Sequence, residues 1–406
     1  MARESETGGL RQVQDVADEG SRPLRVGLFT NNYLPMLGGV STAVETVRRA
    51  LERLGHVAIV VAPRMAGATD PVSGVVRVPA MPAPTYPDFA LPLPVRPGLA
   101  RSLRALDFDV FHAQHPFLLG GTARRLARNL GRPLVFTYHT LYDKYAHYVP
   151  LPTPLVARGA VAWGTRFANA ADLVIAPSAA LVARLAAQGI RRPMEVVPTG
   201  VELDRFRPAN RAEARISLGL APRLPLLLYV GRLDREKNLT FLLESFAGVA
   251  SRHPTAQLLL VGRGTQERAL RAYAAQLGIA ARIRFTGGIA PANVVRYYQA
   301  ADVFVFTSTT ETQGLAVLEA MAAGLPVVAV RASGVEEAVI DGVTGLLVPE
   351  DRSALTASVL QVLADAGLEA KLAAGAREGA LLFSAAAMGE RLVAIYRRLC
   401  ARRASL

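Results

Sequence analysis

Leu24-Arg-Val-Gly-Leu-Phe-Thr30, the loop Asn31 to Gly39, the run Ser41 to Leu54 closed by Gly55, and the apolar Val57 to Ala62 decide the fold. An apolar run, a glycine-bearing loop, a stretch of helical spacing and a second apolar run make a βαβ unit. Such a unit requires parallel strands and a right-handed crossover. The alternation continues through Val110-Phe-His-Ala113, Pro133 to Tyr138 and Leu173-Val-Ile-Ala176, with helix-like segments at Gly121 to Leu130 and Leu155 to Ala170. Past the turn-rich connector Glu195 to Pro208 a second series begins. Its strands are expected at Leu226 to Val230, Gln257 to Val261, Ile283 to Phe285, Val303 to Phe306, Pro326 to Val330 and Gly345 to Val348.

Two doubly wound, Rossmann-like α/β domains in tandem is the economical architecture, and 406 residues suit two cores of ordinary size. The expected division is a disordered polar tail over 1–20, a first domain over 21–200, a second over 201–384, and a closing helical segment over 385–406 that returns to the first domain. Ligands of such sheets bind beyond the carboxyl ends of the strands, so facing domains would enclose a cleft. The Pro-rich Pro79 to Pro97 reads as a loop.

Composition narrows the class. Half of the residues are hydrophobic, yet no uninterrupted apolar run reaches about 18 residues, so no transmembrane helix is expected. The start lacks the apolar core of a secretory signal. A single cysteine, Cys400, allows no internal disulfide, which fits a cytoplasmic protein. The net charge is +13, and Arg22 to Gly200 holds 20 Lys+Arg against 9 Asp+Glu. That excess suits an anionic surface; nucleic acid is disfavoured because no zinc-finger spacing, RNA-binding aromatic motif or basic heptad helix is present. A dehydrogenase is disfavoured too. The first βα turn offers Leu37-Gly-Gly-Val40 instead of Gly-x-Gly-x-x-Gly, and Val60-Val-Ala-Pro63 ends without an acid for a ribose. No phosphate loop of the Walker type occurs.

The chemistry concentrates in Glu311-Thr-Gln-Gly-Leu-Ala-Val-Leu-Glu319. Glu311 is expected in the loop after Val303-Phe-Val-Phe306 and Glu319 inside the helical stretch Gly314 to Ala323; at a helical rise eight residues span roughly 12 Å, the reach from the sugar of an extended nucleotide-sugar to its ribose, so each acid could receive one hydroxyl-bearing ring. Between them Gly314 marks a helix start whose free N–H groups suit a diphosphate. Gly231-Arg-Leu-Asp-Arg-Glu-Lys-Asn238 follows the first strand of the second domain and aims Arg232 and Lys237 at the same diphosphate.

Leu37-Gly-Gly39, Gly231 to Asn238, the Glu-x7-Glu of 311 and 319, and Gly324-Leu-Pro-Val-Val-Ala329 together resemble the retaining GT-B glycosyltransferases of family 4, from Leu24 to Pro349. The resemblance implies a donor site mainly in the second domain, with Glu311 near the sugar hydroxyls, Glu319 on the ribose, and Arg232 and Lys237 on the diphosphate. It also implies donor contacts from the backbone of Gly314 and Leu315, from the Gly38-Gly39 loop across the cleft, and from base-flanking loops at Gly262, Gly264 and Gly288-Ile289. It implies a metal-independent transfer without a resident cofactor, the nucleotide-sugar being a co-substrate. Where many relatives carry a Gly-Gly pair, this chain has Ala332-Ser-Gly-Val335, and no contact is assigned there.

In the first domain the resemblance places a cleft histidine, His139, near the reacting centre, where it orients the sugar and positions the acceptor. His112 and His115, three apart on a strand, face opposite sides and would not chelate a metal together. Tyr138-His-Thr-Leu-Tyr-Asp-Lys-Tyr-Ala-His-Tyr-Val-Pro150, with His115 upstream, resembles the subgroup that glycosylates diacylglycerol. It implies acceptor contacts at His115, Tyr142 and Tyr145. The expected activity is transfer of glucose from UDP-glucose to a lipid at the cytoplasmic face of the membrane, with the interleaved basic and apolar residues of Arg96 to Arg104 against an anionic leaflet. A GDP-mannose-dependent transfer to a glycolipid is the close alternative. A catalytically silent binding module and a sugar epimerase are the others.

Overall fold

A computed structural model describes residues 22–36, 38–65, 74–83, 86–93, 98–144, 152–207 and 209–405. The expected tail over 1–20 and Tyr145 lie outside them. The first lobe carries a seven-stranded sheet ordered β3-β2-β1-β6-β7-β8-β9 and the second a six-stranded sheet ordered β12-β11-β10-β13-β14-β15. All the registered pairs of both sheets are parallel. In chain order the first lobe runs β1 (Arg25–Phe29), α1 (Gly39–Arg53), β2 (Val57–Pro63), β3 (Val75–Val78), β4 (Ala80–Ala83), β5 (Tyr86–Pro92), α2 (Leu99–Arg104), β6 (Val110–Ala113), α3 (Leu119–Leu130), β7 (Leu134–Thr137), α4 (Thr153–Ala168), β8 (Leu173–Ala176), α5 (Ala179–Ala187) and β9 (Met194–Val196). The second runs α6 (Arg211–Ser217), β10 (Leu226–Val230), α7 (Leu239–Arg252), β11 (Gln257–Val261), α8 (Glu267–Gln276), β12 (Ile283–Gly287), α9 (Pro291–Ala300), β13 (Val303–Phe306), α10 (Leu315–Ala322), β14 (Val327–Val330), α11 (Ser333–Glu336), β15 (Leu346–Val348), α12 (Arg352–Ala364) and α13 (Ala366–Ala380), and α14 (Ala385–Ala404) ends the chain.

The central strands are almost wholly apolar because helices cover both faces of each sheet: β6, β7, β8, β13 and β14 are buried at every position, with His112 and Thr137 as the polar exceptions. Two elements depart from the sequence reading. The edge strand β3, half-buried over most of its length and interrupted by Arg77, offers no unbroken apolar run, and part of the Pro79 to Pro97 loop is the antiparallel hairpin β4–β5. Its prolines are tolerated because a two-stranded sheet is all edge.

The chain crosses between lobes twice, and the crossings lie side by side. Val201 N–H donates to Phe383 O at 2.8 Å and Ala385 N–H to Val201 O at 2.9 Å. A Cβ on Gly200 would sit 2.5 Å from Ala385 Cα, so only glycine allows the approach. After the second crossing, α14 packs Met388, Leu392, Ile395, Tyr396 and Leu399 into the core formed by Leu24, Val26, Val44 and Leu51 of the first lobe. His112 lies beneath it, saturated by Tyr396 Oη on Nδ1 and Thr137 Oγ1 on Nε2, each at 2.7 Å.

α2 corrects the reading of Arg96 to Arg104. Leu99 and Leu103 are core residues while Arg101 and Arg104 are exposed. Among its described residues, 98–104, the stretch presents charge to solvent while its leucines turn inward.

Candidate active site

The end of β10 turns sharply at Gly231, and the next seven residues form a charged nest. Asp234, wholly buried, accepts from Thr265 N–H at 2.7 Å and from Thr265 Oγ1 at 2.8 Å, tying this loop to the one after β11. Arg232 reaches Asp234 at 2.6 Å and also pairs with Glu236. Lys237 follows one turn later and donates from Nζ to Glu311 Oε1 at 2.6 Å. Burial works to raise the Glu311 pKa, but the Lys237 ammonium, Ser308 and Arg232 overcome it and hold the acid below the ordinary carboxylate range. Glu311 is therefore ionised at neutral pH, and the charge of Lys237 is held in place by it.

Glu311 belongs to the loop between β13 and α10. Gly314, at φ 75°, precedes the helix, and no side chain caps α10. Bare N–H groups at a helix start are a ready anion site. Glu319, one turn into α10, is half-buried and not in the core, with Tyr298 Oη donating to its Oε2 at 2.7 Å. Burial raises its pKa to about 6, opposed by Tyr298 and Arg205. This sign has a consequence. As pH rises from the unfolded value of 4.5, the unfolded chain ionises before the folded one, so the group subtracts stability at neutral pH. Glu319→Gln is expected to stabilise the protein at pH 7.5 by on the order of 1–2 kcal/mol, a gain that fades toward pH 4.5, while weakening donor binding about tenfold or more through loss of a charged acceptor. Thermal unfolding at several pH values and calorimetric titration with a donor check both signs; a stability loss at pH 7.5 contradicts them.

The glycine loops are packed against each other. A Cβ on Gly262 would lie 1.9 Å from Gly231 O, and one on Gly264 2.3 Å from the Leu233 backbone. Gly262 N–H donates to Gly287 O at 3.0 Å, and Ile289, next to Gly288, packs half-buried against the second core. Close approach of three loop backbones thus accounts for these residues before any ligand is considered. Across the cleft, Gly38 and Gly39 open α1, whose N-terminus also has no side-chain cap, and a Cβ on either would touch nothing within 4 Å.

His139 follows β7. Its Nε2 lies 2.7 Å from Gln114 Oε1, and burial lowers its pKa to about 4, so the imidazole is neutral at physiological pH. Gln114 is buried, and its Nε2 has no partner. A buried donor left open beside His139 suits a polar group of a ligand. Thr312 Oγ1 donates to the His139 carbonyl at 3.0 Å, so the loop bearing Glu311 touches the loop after β7 directly. His115 and Tyr142 are both buried in the first lobe: His115 Nδ1 accepts from Asn31 N–H at 3.2 Å, and Tyr142 Oη has no partner. The structure thus brings Lys237, Glu311, Thr312 and His139 into one neighbourhood and sets His115 and Tyr142 behind its wall.

Several participants escaped the sequence reading. Gln313 bridges the lobes through Thr199, accepting its N–H at 2.7 Å and donating to its carbonyl at 3.2 Å. Glu337 takes both Ala179 and Ala180 N–H groups at 2.8 and 2.7 Å, closing the start of α5 from the opposite lobe. Gly334 backs the Glu311 carbonyl, where a Cβ would stand 2.2 Å from the oxygen. Gln313 lay in the marked stretch Glu311 to Glu319 without a role assigned to it, and Gly334 in the unassigned Ala332 to Val335; Glu337 lay in neither. The Glu337 latch is exposed and worth roughly 0.3–1 kcal/mol, so Glu337→Ala is expected to raise the donor KM about two- to fivefold by favouring open lobes while leaving thermal stability nearly unchanged. Steady-state kinetics with small-angle scattering check this; an unaltered radius and KM count against it.

Residues 37–205 match the family described as Glycosyltransferase Family 4, and residues 210–379 match Glycosyl transferases group 1. The alpha-monoglucosyldiacylglycerol synthase of Streptococcus pneumoniae is 33% identical over 75% of this chain and 71% of its own length. The GDP-mannose-dependent alpha-mannosyltransferase of Mycobacterium tuberculosis is 34% identical over 80% and 84%. Among solved structures, sucrose-phosphate synthase from Thermosynechococcus elongatus superposes with a TM-score of 0.80 at 26% identity, covering 93% of this chain and all of that one. Anabaena HepE in complex with UDP-glucose shares the fold at a TM-score of 0.74 and 22% identity, covering 94% of this chain and all of that one. The chain belongs to the GT-B glycosyltransferases of family 4. It is a hexosyltransferase, which sets aside the silent binding module and the epimerase.

Proposed function

We propose that the protein transfers glucose from UDP-glucose, with retention, to a diacylglycerol-type lipid at an anionic membrane surface. The observation that carries this reading is the 2.6 Å Lys237–Glu311 pair, whose acid sits in the loop that leads into the uncapped start of α10 and is tied by its neighbour Thr312 to His139 of the facing lobe. Lys237, Arg232 and the N–H groups of Gly314 and Leu315 receive the diphosphate and stabilise the charge it gains as the bond to the sugar breaks, in place of a resident metal. Glu311 holds the sugar hydroxyls and Glu319 the ribose. The acceptor hydroxyl approaches on the face the diphosphate leaves, and its proton passes to a departing phosphate oxygen. No second carboxylate is needed opposite the anomeric carbon, unlike glycoside hydrolysis. The glucosyldiacylglycerol synthases, at 33% and 30% identity, support this choice of donor and acceptor. A second reading, mannose from GDP-mannose onto a glycolipid, is favoured by mannosyltransferase relatives of similar identity. Incubation with a panel of UDP- and GDP-sugars and diacylglycerol vesicles, followed by mass and anomeric analysis of the lipid, decides between them. An α-glucosyl lipid formed from UDP-glucose is expected; a mannosyl product from GDP-mannose alone supports the second, and no lipid product with any donor refutes both.

A further inference from the structure

We propose that the outward face of α4 is the surface on which the protein rests against an anionic phospholipid bilayer. The inference deepens the lipid-acceptor reading by naming the contact surface, and it rests on that reading for the membrane itself. Successive residues of a helix turn by about 100°, so Arg158, Ala162, Leu155, Arg166, Gly159 and Trp163 follow one another around a single arc. All six are exposed, whereas Gly164, Phe167 and Ala168 on the opposite arc are buried. Leu155 is 67% and Trp163 58% exposed, unusual for large apolar side chains of a folded lobe.

The charges carried by the helix itself are of one sign. The helix carries Arg158 and Arg166 and no acid. Neither arginine makes an ion pair with another described residue, and Asp143 nearby is already held by Arg184 at 2.8 Å. Along one flank runs an open groove of about 620 Å³ lined by Asp143, Arg158, Ala162, Thr165, Arg166 and Gln188, among others. Thr165 Oγ1 and Gln188 Oε1 are buried there without a partner, as is Asp143 Oδ1. Two guanidinium groups and the Thr165 hydroxyl suit a phosphodiester, the two acceptors Gln188 Oε1 and Asp143 Oδ1 suit only the hydroxyls of its headgroup, and the apolar wall suits the start of its chains.

On the other flank Trp163 is held in place. Its indole N–H donates to Pro116 O at 3.0 Å and its ring stacks on Phe117, centroids 6.4 Å apart. The ring is thereby fixed with its N–H satisfied and its apolar body facing out, the arrangement that suits a bilayer interface. Phe117 in turn meets Tyr142 at 5.4 Å, so the surface continues inward toward the wall behind His139. Leu118, next in the chain, is 40% exposed at φ 51°, a backbone conformation that leucine rarely adopts. A strained leucine left open to solvent beside an exposed tryptophan serves no packing purpose within this lobe.

Trp163 is the chain's only tryptophan, so its fluorescence reports this face alone. Vesicles of phosphatidylcholine containing phosphatidylglycerol are expected to shift its emission to the blue, to allow quenching by brominated acyl chains, and to lose both effects in high salt; phosphatidylcholine alone is expected to do neither. The double variant Arg158→Ala/Arg166→Ala should lose roughly tenfold or more in vesicle affinity, the scale of about 1 kcal/mol per basic residue, and Arg101→Ala/Arg104→Ala should lose less. Donor hydrolysis without acceptor should be unchanged in both. Vesicle binding with no change at Trp163, a larger loss in the 101/104 variant, a shift produced by glycerol phosphate alone, or a shift that follows protein concentration without vesicles overturns the proposal; the last two assign the face to a free phosphate or to a second copy. Quenching that persists while no lipid product forms leaves this surface standing and removes the acceptor reading instead.

Discussion

Glu311→Gln is expected to lower transfer by about a thousandfold or more, the scale of removing a preorganised charge from a reacting centre, while UDP binds at least as tightly as before. The two halves of this expectation come from one contact. In the free protein Lys237 is held by Glu311 at 2.6 Å, with side chains only 11% and 18% exposed. A neutral amide of the same shape removes the Glu311 charge from beside the ammonium, and breaking a mostly buried pair costs on the order of 3–5 kcal/mol. A diphosphate restores that charge, so UDP should raise the melting temperature of the variant more than that of the parent protein. Lys237→Ala separates the roles: it should lose transfer and UDP affinity together. Normal turnover by Glu311→Gln, or loss of UDP binding in it, contradicts the placement of Glu311 at the sugar and Lys237 at the diphosphate.

Gly334→Ala should reduce transfer about a hundredfold, because a displacement near 1 Å at a reacting centre has that effect. The added Cβ would lie 2.2 Å from Glu311 O and 2.9 Å from Gln313 N, so the loop carrying the acid must move. Gly334 is not among the positive-φ glycines, so space alone is the obstacle. Overpacking of this kind costs roughly 1–3 kcal/mol, small enough to leave a folded protein for assay. Gly121→Ala, where nothing lies within 4 Å of the new Cβ, serves as the control and should keep full activity. Equal activity of the two variants would mean that Gly334 does not set the Glu311 loop.

The sheets were readable because strands buried on both faces are written as unbroken apolar runs, such as Val303-Phe-Val-Phe306 and Leu173-Val-Ile-Ala176. The β4–β5 hairpin was not, because its prolines mimic a loop and its partner strands are local. Glu311, Lys237 and Gly314 were legible from residue type and spacing within single loops. Asp234 stood in a quoted motif, yet its function depends on Thr265, which the chain brings near only by laying β11 beside β10. Gln114, Gln313 and Glu337 act on groups of distant strands or of the other lobe, and no local pattern marks such residues. The face proposed to meet a membrane likewise needed the helix wheel combined with burial: the leucines near Arg101 look as available in sequence as Leu155 does, and only packing shows which are exposed.

The most direct test of the whole account is a crystal structure of the protein soaked with UDP-glucose or a non-transferable analogue. The account predicts the diphosphate within hydrogen-bonding distance of Lys237 and of the Gly314 and Leu315 N–H groups, with Glu311 on the hexose and Glu319 on the ribose. A donor seated elsewhere, with the Lys237–Glu311 pair untouched, would contradict it.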